Sequence, residues 1–69
     1  MRVNFLMNGL EIIMEYESDP WMSSELDTIY VGAQDGPALS NMSKDDEEIM
    51  RINKWKKSNI FKCWMFKLV

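Results

Sequence analysis

The chain has 69 residues, of which 46% are hydrophobic and 12% aromatic, and a formal net charge of −3. That length allows one small domain that buries about 60% of its unfolded surface, and the composition excludes a disordered chain. With no His and one Cys, the sequence excludes a Ser–His–Asp triad, a Cys–His dyad, a His/Cys metal site and an internal disulfide.

The charges are unevenly placed. Residues 1–50 hold all eleven acids and only Arg2 and Lys44 as bases, while residues 51–69 hold the other six bases and no acid. The opening residues lack the apolar core and cleavage pattern of a secretory signal, and no apolar run reaches the ~18 residues of a membrane span. The expectation is an intracellular, cytoplasmic protein formed as a single domain over residues 1–69.

In chain order, the first local signal is Asn8-Gly9 between two apolar runs. Asn-Gly suits the two positive φ angles of a type I′ turn and predicts an N-terminal β-hairpin. In that register Met7 faces Leu10, Phe5 faces Ile12 and Val3 faces Met14 on one face. Arg2 then meets Glu15 on the other. Glu11, Glu15 and Glu17 share the outer face with Leu6 and Ile13. Ser18-Asp19-Pro20 ends the second strand, and residues 20–25 read as a loop carrying Trp21 and Met22.

Residues 26–31 are rich in β-branched and aromatic types and predict a third strand. Gly32, Gly36 and Pro37 break it and open a loop to about Met42. Ser43 is the expected N-cap of a helix running toward Ser58, with Asp46 in an approximate capping box. Asp45, Asp46, Glu47 and Glu48 fall in its first turn and Lys54, Lys56 and Lys57 in its last, which complements the helix dipole. Glu47 and Arg51 form an i,i+4 pair, and Ile49, Met50, Ile52 and Trp55 form the apolar stripe. Residues 60–69 read as strand or helix by period alone. Their aromatic enrichment and the break before them favour a strand.

The fold expected is therefore α+β: an antiparallel sheet, built from the hairpin and one or two further strands, packed on one helix in the order β-β-β-α-β. No catalytic set, cofactor motif or metal motif emerges. The acidic run at 45–48 is accounted for by its helix-start role, and Cys63 in an apolar run by a place in the core. The basic segment 51–67 with its aromatic residues fits nucleic-acid or membrane contact less well, because the chain as a whole is acidic.

The functional expectation is a non-enzymatic protein-binding module. An inhibitor of the phage or mobile-element type fits this description, occupying a basic surface of a host nucleic-acid-handling enzyme. The residues expected to carry it are Glu11, Glu15, Glu17, Asp19, Trp21, Glu25 and Asp27. The alternative is an assembly subunit that self-associates through a sheet edge or a Met/Trp-rich surface.

Overall fold

In the computed structural model, which describes residues 2–68, the amino-terminal segment is an α-helix, α1 (Val3–Tyr16). The chain continues through β1 (Met22–Glu25), β2 (Thr28–Val31), α2 (Pro37–Ser40), α3 (Lys44–Ile52), β3 (Trp55–Lys57) and β4 (Trp64–Lys67). The α+β class and the antiparallel sheet are as expected, but the sheet packs on three helices rather than one. The order α-β-β-α-α-β-β replaces β-β-β-α-β, and the N-terminal hairpin is corrected to a helix.

Residues 3–16 contain both periodicities. Alternation selects Val3, Met7 and Met14 for burial, whereas helical spacing selects Leu6, Gly9, Ile13 and Tyr16. The helical set prevails because its stripe fills the core: Ile12 and Ile13 are buried, with Phe5, Leu6, Leu10 and Tyr16 packed beside them. Val3, Met7 and Met14 are exposed.

Asn8 and Gly9 serve this helix as contact residues rather than as a turn. A Cβ on Gly9 would lie 2.0 Å from Nε1 of Trp55, so only glycine admits the indole here. That Nε1–H donates to the Phe5 carbonyl at 3.0 Å. One turn away, Asn8 Nδ2 donates to Asn53 Oδ1 at 3.0 Å.

The sheet has four strands in the order β1-β2-β4-β3, all neighbours antiparallel. Ile29 faces Phe66, Val31 faces Trp64 and Trp55 faces Phe66. Side chains opposite one another share a face, so these five line one side of the sheet. There they meet Ile12 and Ile13 of α1, Ala38 of α2, Met50 of α3 and Met42. The other side carries Ser23, Glu25, Tyr30, Met65, Lys56 and Lys67, and among the described residues the helices pack on the core side.

Local boundaries differ from expectation in five places. Met22 begins a strand where a loop was expected. Leu26-Asp27 is the hairpin turn rather than the start of a strand, with Leu26 at φ 55° and 97% exposed. The 32–42 segment contains α2, whose first turn suits Pro37, and the Trp64 indole donates to the Ala38 carbonyl at 2.8 Å.

The fourth is α3. Ser43 caps it as expected, its Oγ accepting from the Asp46 amide at 3.1 Å. The helix ends at Ile52 instead of near residue 57, because Asn53 Nδ2 donates to the Ile49 carbonyl and Lys54 turns the chain at φ 71°. Trp55-Lys56-Lys57 then forms a strand. Arg51 accordingly pairs with Glu48, and Glu47 with Lys57 at 2.7 Å, in place of the expected Glu47–Arg51 pair. Met50 is fully buried while Ile49 and Ile52 are exposed. The expected strand in 60–69 is confined to Trp64–Lys67, and Val69 lies outside the described residues.

Gly9→Ala separates the two readings of this glycine. In an open helix the change would stabilise by ~0.8–1 kcal/mol through propensity alone. Against Trp55 it should instead cost about 1–3 kcal/mol through overpacking, read as a lower midpoint in urea denaturation.

Candidate binding groove

The uncovered side of the sheet is indented at one end by a groove of about 540 Å³, lined by Trp21, Ser23, Tyr30, Phe61, Cys63 and the 32–34 loop. Tyr30 stands on the central strand β2. Phe61 comes from the turn between β3 and β4, closed by Ser58 N–H to the Cys63 carbonyl at 2.8 Å and Lys62 N–H to the Ser58 carbonyl at 3.1 Å. The Phe61 ring meets that of Tyr30 edge-on, with centroids 4.6 Å apart and planes at 61°. Trp21, just before β1, is 67% exposed.

Hydrogen bonds from the 32–36 loop fix these walls. Gly32 N–H donates to the Trp21 carbonyl at 2.7 Å, with Gly32 at φ 107°, a conformation that favours glycine. The Glu17 carboxylate accepts from the Ala33 amide at 2.9 Å and from the Ala38 amide at 3.1 Å, the latter in the first turn of α2. Asp35 N–H donates to the Lys62 carbonyl at 2.8 Å, joining the loop to the Phe61 turn.

Charge near the groove is mixed: Lys62 sits between the lining residues Phe61 and Cys63, while the segment that supplies the rest of the lining is acidic. Between Arg2 and Lys44 the chain has seven acids and no base. Cys63 is buried at the groove wall, and burial pushes its thiol above the ordinary range. A backbone hydrogen bond with Val31 opposes that shift, and the charge of Glu17 adds to it. The side chain is therefore a thiol at neutral pH. Lys62 is exposed and does not line the groove.

The residues expected to bind a partner are not on one strand face. Glu11 and Glu15 are exposed and four apart on α1, in the helical layer. Glu17 lies past the helix end and is committed to the Ala33 and Ala38 amides. Asp19 is exposed before the groove, Trp21 lines it, Glu25 ends β1 and Asp27 sits in the hairpin turn. Tyr30 and Phe61 were not among the expected residues. A usable signal was Ile60-Phe61 between Ser58-Asn59 and Lys62, two large apolar groups in a turn that cannot bury both.

Beside the groove, β1 forms one edge of the sheet and carries a single charge, Glu25. The opposite edge, β3, carries Lys56 and Lys57, a composition that discourages further strand pairing. Three of the four acids that open α3 are engaged within the fold: Asp46 accepts from Tyr16, Glu47 from Lys57 and Glu48 from Arg51. Among the described residues, no three His, Cys, Asp or Glu side chains gather as a metal would require, and no helix is long and apolar enough to cross a membrane. No protein-family model, curated protein or solved structure matches the chain.

Two measurements check this construction. Glu17→Ala should cost about 1–3 kcal/mol in chemical denaturation, since two amides lose a charged acceptor. Glu11→Ala, on the exposed helix face, should change stability by less than about 0.5 kcal/mol. Separately, alkylation of Cys63 by iodoacetamide should be at least tenfold slower than that of glutathione at pH 8, and its onset should lie at higher pH, because the folded thiol holds its proton longer. Denaturant should abolish the difference.

Proposed function

We propose that this protein is a non-enzymatic protein-binding module that seats a partner across the aromatic groove and the adjoining edge of β1. The observation that carries this reading is Trp21: a large ring, two-thirds exposed, whose backbone is nonetheless anchored through Gly32. Tryptophan is enriched among the residues that dominate binding energy, and a backbone fixed before binding lowers the ordering cost of covering its ring. A strand of the partner can extend the sheet at β1 by main-chain hydrogen bonds while a side chain enters the groove.

The acids give the partner its charge. Asp19, Glu25 and Asp27 flank β1, so a basic surface is the complement, and the nucleic-acid groove of an enzyme is the partner class we favour. Glu11 and Glu15 lie on the helical layer and act in this account by long-range steering, which salt screens.

The open edge of β1 also supports a second reading, assembly with further copies of this chain through that edge. Sedimentation of the wild-type chain and of Ser24→Pro separates the two. Assembly through β1 gives a concentration-dependent oligomer that the proline abolishes, whereas the binding module alone stays monomeric.

The main test is affinity capture from the native host with three baits. The wild-type chain should retain a specific protein, Trp21→Ala should lose it by at least tenfold, and Glu11→Lys/Glu15→Lys should retain it with slower, less salt-sensitive association. Equal retention by Trp21→Ala and wild type would overturn the proposal.

A further inference from the structure

We infer that the groove is a receptor for an arginine side chain of the partner, held over the faces of Trp21, Tyr30 and Phe61. This rests on the protein-binding reading and names the chemistry that the site recognises. Tyr30 and Phe61 meet at 61° with their centroids 4.6 Å apart, so together they make a corner rather than a flat stack. Trp21 lines the same groove from the β1 side. All three rings border one opening, and the face of an aromatic ring draws a cation more strongly than a neutral group of equal size.

The rest of the lining agrees with a cation. Ser23, Gly32, Ala33, Gln34 and Cys63 complete it, so no charged side chain lines the groove to repel a guanidinium or to pair with it already. Ser23 and Gln34 supply hydroxyl and amide oxygens as acceptors for its N–H groups. Behind the wall, the Glu17 carboxylate binds the amide of the lining residue Ala33 at 2.9 Å, and its field extends to Cys63, whose thiol it helps to hold protonated. No base occurs between Arg2 and Lys44, the span that supplies most of the lining. Arginine fits better than lysine. Its planar guanidinium stacks on rings and sheds water more readily than an ammonium.

The test uses three short peptides, acetyl-Gly-Arg-Gly-amide and its citrulline and norleucine counterparts, titrated into the wild-type protein. Citrulline keeps the shape and most hydrogen-bonding groups of arginine but not the charge, and norleucine keeps only the apolar stem. The readout is the indole N–H resonance of Trp21, the exposed one of the three Trp residues. The arginine peptide should shift it saturably, with a Kd on the order of millimolar. The citrulline and norleucine peptides should bind about three- to tenfold more weakly, and Phe61→Leu should weaken the arginine peptide about threefold, the span expected of an exposed cation–π contact.

Equal shifts from arginine and citrulline, or no shift up to about 100 mM arginine peptide, would overturn the inference. If the three peptides bind alike while Trp21→Ala still loses a captured partner, the protein-binding reading stands and the arginine assignment falls. If the arginine peptide is preferred while wild type and Trp21→Ala capture alike, the groove chemistry stands and the protein-binding reading falls.

Discussion

The indole of Trp55 joins the two layers of this small domain. It lies against α1 where Gly9 leaves no side chain, and its N–H closes on the Phe5 carbonyl of the same helix at 3.0 Å. Within the sheet it faces Phe66 on the neighbouring strand β4, the rings tilted at 41° with centroids 5.1 Å apart. Burying a ring of this size gives more apolar contact than any other single residue offers, and the N–H needs a partner once buried. Trp64 repeats the arrangement one strand away, donating to the Ala38 carbonyl of α2. Two tryptophans thus bind the helices to one side of the sheet. The third, Trp21, remains exposed on the groove, and the contrast between these environments separates packing from recognition.

Part of this was legible in the residues. Ser43 announced the start of α3, since a hydroxyl just before an acidic turn satisfies an amide that the helix leaves free. The strand character of 64–67 followed from its aromatic run, and the α+β class from the mixture of the two periods. The amino-terminal helix was misread because Asn8-Gly9 also has strong turn chemistry. What decides against the turn lies 46 residues away at Trp55, in a contact that no local pattern encodes. The end of α3 was hidden for a related reason. Lys54 adopts φ 71°, which nothing in a lysine signals, and Trp55 fits a helical stripe and a strand equally well.

The groove was legible only in Trp21. Its other walls come from segments about 30 residues apart in sequence, brought together when β2 pairs with β4 and the 32–36 loop bonds to Lys62. The acids expected to form one patch are divided by the correction at the amino terminus. On a strand, Glu11, Glu15 and Glu17 would alternate onto one face; on a helix, Glu11 and Glu15 stay together while Glu17 passes the end and becomes structural. The segregated charge of the chain also has a double use. Glu47–Lys57 joins the acidic and basic parts inside the fold, while the acids around β1 are left for solvent or a partner.

The central claim is that one side of the sheet is sealed by Trp55 and Trp64 and the other is left open at Trp21. Solvent relaxation measured on the three indole N–H resonances with a soluble, uncharged gadolinium chelate tests both halves at once. The account predicts that Trp21 broadens at low chelate concentration while Trp55 and Trp64, 1% and 4% exposed, persist. Broadening of Trp55 as early as Trp21 would contradict it, because the helical layer would then not lie where the fold requires.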